Sequence, residues 1–190
     1  MKHNKKKKSY KTKNLAPGTM AYRGKKASLD TNIDIINYNQ TIHNVIHSKI
    51  VEDAFNFKEE DTVTWINING LNNLDNIQKL GDHYHIHPLT LEDVVNTQHR
   101  PKIDEFDNYL FIVFKMLYYN NDSELHYEHM SMVVGEGFLL TFQESDGDVF
   151  DDLRERISHG KGRVRTWGSD YLMYALLDAV VDNYLTVIEA

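Results

Sequence analysis

The spacing of apolar positions along the chain changes several times, and each change marks an element. From Asn32 to Tyr38, Ile33, Ile35 and Ile36 alternate with polar neighbours in the period of two that a half-buried strand requires. Thr19–Tyr22 and Ile42–Ile46 read as further short strands and Val51–Phe55 as a short helix. Asp61–Asn69 (DTVTWININ) is the clearest strand of the first half, β-branched and aromatic throughout and closed by Asn69-Gly70. Leu74, Ile77, Leu80 and Tyr84 then recur at helical spacing. A second helix is expected from His87-Pro88, with Pro at its first position and Leu89, Leu91, Val94 and Val95 as its apolar side. Three strands follow, Tyr109–Tyr118, Glu128–Val134 and Phe138–Gln143, the last two joined by a hairpin at Gly135-Glu136-Gly137. Asp148 is expected to cap a helix running to about Ile157, and Gly160-Lys161-Gly162 to end it. Ser169 to Ala190 is helical in pattern, with Ser169 as N-cap and Asp170 in the first turn. No Gly, Pro or cationic last turn stops that helix, so it is expected to continue in a longer protein.

Composition narrows the class. The 190 residues are 41% hydrophobic and 26% charged, enough for one domain with a core. With no cysteine, disulfides and thiolate metal sites are excluded. No window approaches the roughly 18 apolar residues of a spanning helix. The net charge of −7 conceals an asymmetry, because residues 1–26 hold ten basic side chains and no acid. Residues 1–14, Lys-rich and low in complexity, are expected to form a disordered basic tail. The remainder is strongly acidic, which repels nucleic acid and attracts cations.

Four groups of residues are candidates for chemistry. Glu92 and Asp93 stand side by side on the second helix, about 100° apart around its axis. They suit two neighbouring ions or two partners better than one chelate, and they suit plain solvation equally well. Asp178, Asp182 and Glu189 fall on one narrow face of an otherwise apolar last helix, pointing to an interface, a cation or water. His83, His85 and His87 would share a face, and could bind zinc, only if extended, which the preceding helical pattern opposes. The acids from Glu144 to Asp152 lack the spacing of a calcium loop and read as a turn and a helix start. There is no phosphate-binding loop, nucleophile elbow or cysteine nucleophile, and nothing demands an enzyme.

The stretches Ile86–Lys102 (IHPLTLEDVVNTQHRPK) and Asp107–Val113 (DNYLFIV) resemble the N-terminal cytoplasmic domain of CorA-type magnesium/cobalt transporters. So do Pro17-Gly18-Thr19, Thr64–Asn67 (TWIN), Gly147–Asp151 (GDVFD) with Arg154–Arg156 (RER), Asp170-Tyr171-Leu172 and Asp178–Asp182 (DAVVD), in order and spacing from about residue 15 onward. The resemblance implies an α/β fold: a mixed β-sheet sandwiched between helical layers over 15–165, followed by the beginning of a long stalk helix over 166–190. It implies a homopentamer anchored in the inner membrane by segments beyond residue 190, with this part on the cytoplasmic side and no enzymatic activity. It also implies regulation by Mg²⁺, with Co²⁺ or other divalent cations possible, bound between subunits. Carried over by position, Asp93 is the main inter-subunit ligand, and Glu92 and Asp178 contribute to a second site nearby. His83 and His85 lie outside the resemblance and leave room for a related zinc transporter. A free-standing metal-dependent hydrolase using Glu92, Asp93 and Asp178 is the alternative from another class.

Overall fold

The computed structural model describes residues 15–24, 30–57, 61–119 and 124–189; the expected basic tail, 1–14, lies outside them. Seven strands form one sheet: β1 (Asn32–Tyr38), β2 (His43–Ser48), β3 (Val63–Asn69), β4 (Lys102–Glu105), β5 (Tyr109–Tyr119), β6 (Leu125–Gly135) and β7 (Phe138–Gln143). Their order is β2-β1-β3-β7-β6-β5-β4, antiparallel except where β3 runs parallel to β7. The helices are α1 (Leu74–His83), α2 (Pro88–Val94), α3 (Asp151–His159) and α4 (Ser169–Glu189), with a 3-10 turn at Val51–Asn56. The mixed sheet between helical layers is as the sequence led one to expect.

The period of two explains why both faces are covered. Ile33, Ile35, Ile66, Ile68, Phe111, Val113, Val133, Leu140 and Phe142 project to one face, where Ile77 and Leu80 of α1, Leu91 and Val94 of α2 and the 3-10 turn close over them. The intervening residues, among them Ile36, Trp65, Ile112, Met132 and Leu139, project to the other, beneath Leu153 and Ile157 of α3 and Leu172, Leu176 and Val180 of α4. All seven residues of β3 are buried, as suits a central strand covered on both sides. Asn183 Nδ2 donates to Leu117 O and Tyr184 hydroxyl to Lys115 O, pinning α4 along β5.

The structure departs from the sequence reading in five places. Residues 19–22 form no strand: Arg23 N donates to Val95 O, so this segment docks on the end of α2 instead of on a strand. β4 was not anticipated, because its Lys-Ile-Asp-Glu composition is polar, as an edge strand tolerates. The short helix expected at Val51–Phe55 is present, as a 3-10 turn over Val51–Asn56. Asp148 is not the N-cap of α3; it accepts from Phe150 N and from both Nη atoms of Arg154, at 2.7 and 2.5 Å. Ser169 does not cap α4 either, since its hydroxyl donates to Gly135 O at 2.6 Å and ties the helix start to the β6–β7 turn. Finally, α4 is long and apolar enough, by length and composition, to cross a membrane, at a mean hydropathy of 1.3. The expectation that no segment approaches that level is corrected, although α4's Leu172, Leu176 and Val180 are spent on the sheet.

Gly70 ends β3 at φ 92°, where a Cβ would sit 3.0 Å from Asp30 O and 3.3 Å from Thr31 Cα. Both obstacles are backbone, so Gly70→Ala should cost about 1–3 kcal/mol of unfolding free energy, read from urea titration. A loss below about 0.5 kcal/mol would mean the turn relaxes around the methyl group.

Candidate metal centre

Pro88 at the first position and the His87 ring, whose Nδ1 accepts from Leu89 N at 3.2 Å, start α2. Leu91 and Val94 face the sheet, which turns Glu92 and Asp93 outward. Glu92 Oε2 accepts from Gly18 N at 2.9 Å and so anchors the N-terminal segment to α2. Asp93 stands in the last turn, the end at which a helix disfavours negative charge. Two cation-capable groups offset this: Lys102 Nζ lies 2.6 Å from Asp93 Oδ2, and His99 Nε2 lies 2.6 Å from Oδ1. The same ammonium lies 2.6 Å from Asp104 Oδ2 and 5.4 Å above the centre of the Phe111 ring. Burial alone would lower the Lys102 pKa, but the hydrogen bonds and charges of Asp104 and Asp93 outweigh it and hold the pKa above its ordinary value.

The register explains why these groups meet. Lys102 pairs with Val113 and Asp104 with Phe111, and Val113 and Phe111 point to the α2 face of the sheet. The alternate β4 residue, Ile103, points the other way and is 67% exposed. Lys102, Asp104 and His99 were missed as partners of Asp93. The available signal was local: three charged or ionisable residues within eleven positions of Asp93, two of them one strand-period apart.

Asp178 is exposed on α4 and lines a cleft between α3 and α4 together with Asp152, Arg156 and Asp182. It therefore lies on the opposite side of the sheet from Glu92 and Asp93. One chain cannot gather the three carboxylates, which removes the basis for the hydrolase alternative. Asp182 and Glu189 are also exposed.

The three histidines are separated by their roles. His83 ends α1 and stacks on Phe55 at 4.2 Å, His85 sits in the left-handed region at φ 54°, and His87 caps α2. Among the described residues no group of three or more His, Cys, Asp or Glu side chains is placed to hold a metal ion. Histidine-based zinc binding thus loses its geometric support. What one chain offers at this place is a single hard oxygen donor, Asp93, whose two oxygens are already held by the Lys102 ammonium and the His99 ring.

A family model described as CorA-like Mg2+ transporter protein matches residues 60–190. The cobalt/magnesium transport protein CorA of Thermotoga maritima is 43% identical over 178 residues, covering 93% of this chain and 50% of that protein. The chain thus spans half the length of that relative. In structure, the full-length CmaX protein superposes with a TM-score of 0.68 at 14% identity, covering 84% of this chain and 48% of that one. The soluble domain of CorA from Methanocaldococcus jannaschii superposes with a TM-score of 0.58 at 16% identity, covering 82% and 58%.

Proposed function

The chain belongs to the family of CorA-like Mg²⁺ transporter proteins, and on that premise we propose that it is the metal-sensing regulatory domain of a divalent-cation channel. It sits on the cytoplasmic side of the cell membrane in a homopentamer, carries Mg²⁺ or Co²⁺ as its regulatory ion, and performs no catalysis. Asp93 holds the ion between neighbouring subunits, and Glu92 and Asp178 contribute to a second site close by.

The observation that carries this reading is that the outward carboxylates of Glu92 and Asp93 on α2 lie on one side of the sheet while Asp178 lies on the other. Carboxylates on opposite faces of one chain can share an ion only if a second chain joins them. The exposed side of α4 supports an assembly. Tyr174, Val181, Leu185 and Ile188 are all exposed and recur at spacings of seven, four and three, the rhythm of a helix seam that packs on another helix. Without an ion, acids of adjacent subunits repel; a bound cation converts the repulsion to attraction and favours the closed ring.

The test is electrical. Asp93→Ala in the longer protein should leave currents less steeply dependent on cytoplasmic Mg²⁺ and shift half-inhibition to higher concentration. Inhibition with unchanged midpoint and steepness would remove Asp93 as the sensor.

A further inference from the structure

Asp93 is already occupied, by a charge the chain supplies itself. Its Oδ2 is held by Lys102 Nζ at 2.6 Å, and its Oδ1 by His99 Nε2 at the same distance. A divalent ion that ligates this carboxylate must therefore displace an ammonium. The ammonium has a second place to go, because Asp104 Oδ2 is also 2.6 Å from Nζ. Both carboxylates and the lysine are only partly exposed, at 21%, 42% and 30% of their side-chain surface, so their mutual attraction is less diluted than at an open surface. Lys102 Nζ itself lies over the Phe111 ring, 5.4 Å from its centre, which favours keeping the ammonium within this small compass.

We propose that Lys102 is a tethered competitor for the cation at Asp93, neutralising that carboxylate when no ion is bound and withdrawing onto Asp104 when one arrives. This rests on the reading of Asp93 as an ion ligand and adds what sets its affinity. The ion exchanges one positive partner of Asp93 for another, so emptying the site leaves no bare carboxylate beside the core. Affinity is kept low, as a site that must release its ion when the ion becomes scarce requires. The edge position of β4 suits the exchange, since Lys102 can move without breaking a ladder on both sides of its strand. Asp104 is then a positioning residue: it never touches the ion but receives the lysine.

The test uses Mg²⁺ alone and the carboxyl ¹³C resonance of Asp93 in the 190-residue chain, with Mg²⁺ titrated to tens of millimolar. Lys102→Gln removes the competing charge and should bind Mg²⁺ at Asp93 about tenfold more tightly, the scale of a unit charge repelling a divalent ion across a few ångströms in water. Lys102→Arg keeps the charge and should titrate like the unaltered chain, which loss of a merely structural contact would not explain. In the unaltered chain the Lys102 ¹⁵Nζ resonance should move with the same midpoint as Asp93, a readout that holds even if a variant folds poorly. Equal midpoints for the unaltered chain and Lys102→Gln, or a Lys102 resonance that stays fixed while Asp93 titrates, would overturn the competitor while leaving Asp93 as ligand. An Asp93 resonance that moves in none of the proteins would overturn ion binding at Asp93 within one chain, and the competitor with it, while the currents of Asp93→Ala decide the ligand between subunits.

Discussion

Trp65→Ala is expected to lower the free energy of unfolding by about 3–5 kcal/mol, the range for deleting a buried aromatic side chain. Trp65 is fully buried at the centre of β3, between Ile36 on β1 and Leu139 on β7. Its ring meets the edge of Phe150 at 5.9 Å, and the Arg154 guanidinium lies 5.2 Å from the ring centre. Its Nε1–H donates to Thr141 Oγ1 at 3.0 Å, and that hydroxyl donates to Asn67 Oδ1 at 2.7 Å. Alanine would open a cavity where the sheet meets α3 and leave Thr141 with its acceptor capacity unused. Trp65→Phe keeps most of the volume and gives up the donor, so it should cost less, about 1–2 kcal/mol. Urea titration followed by far-UV circular dichroism measures both, since the fluorescence of Trp65 is lost with the residue. If alanine cost less than about 1 kcal/mol, the packing of α3 on the sheet would not depend on this ring.

The strands were legible in the sequence because their alternating sets are largely apolar, whereas the layers that cover them were implied by the family resemblance. Ile33 and Ile35 against Ile36 and Tyr38, or Phe111 and Val113 against Ile112 and Phe114, are the two cores written in order. What was not legible depends on contacts distant in sequence. Lys102-Ile-Asp-Glu becomes a strand because β5 offers it an edge, not through its own propensity. Asp148 looked like a cap in sequence, yet its side chain is 4% exposed and grips Arg154, an ion pair that helical spacing alone does not announce. Ser169 had the right chemistry for a cap but found the Gly135 carbonyl first.

The candidate site divides in the same way. Glu92 and Asp93 were visible as outward acids because Leu91 and Val94 mark the inward side of α2. Their partners were not visible, since Gly18 lies 74 positions before Glu92 and Lys102 reaches Asp93 only through the β4–β5 register. The separation of Asp93 from Asp178 by the sheet could not be foreseen without knowing which face each helix covers.

Acidification from about pH 7.5 to 5 is expected to destabilise the fold by about 2 kcal/mol through one histidine. His129 on β6 is 3% exposed, and its Nδ1 lies 3.1 Å from Lys115 Nζ. A lysine ammonium only donates, so Nδ1 accepts and the ring proton sits on Nε2. Burial first, then the Lys115 ammonium and then His99 push the His129 pKa down to about 3. In the unfolded chain the same ring titrates near its ordinary value of about 6.5. Between these values the unfolded chain holds a proton that the folded chain refuses. The stabilisation is therefore complete above pH ~6.5 and is lost as pH falls towards ~3, at a limiting slope of about 1.4 kcal/mol per pH unit. His43 is shifted in the same direction, by burial and then by Arg165. Comparing the unaltered chain with His129→Asn cancels this shared contribution, because the Asn oxygen can still accept from Lys115 but takes up no proton. Urea unfolding at several pH values should give a curve that falls about 2 kcal/mol further for the unaltered chain than for the variant. Lys115→Met should reduce that difference without abolishing it, since burial, the largest cause, remains. Parallel curves for the unaltered chain and His129→Asn would mean that the folded protein accommodates a charged imidazole at this position.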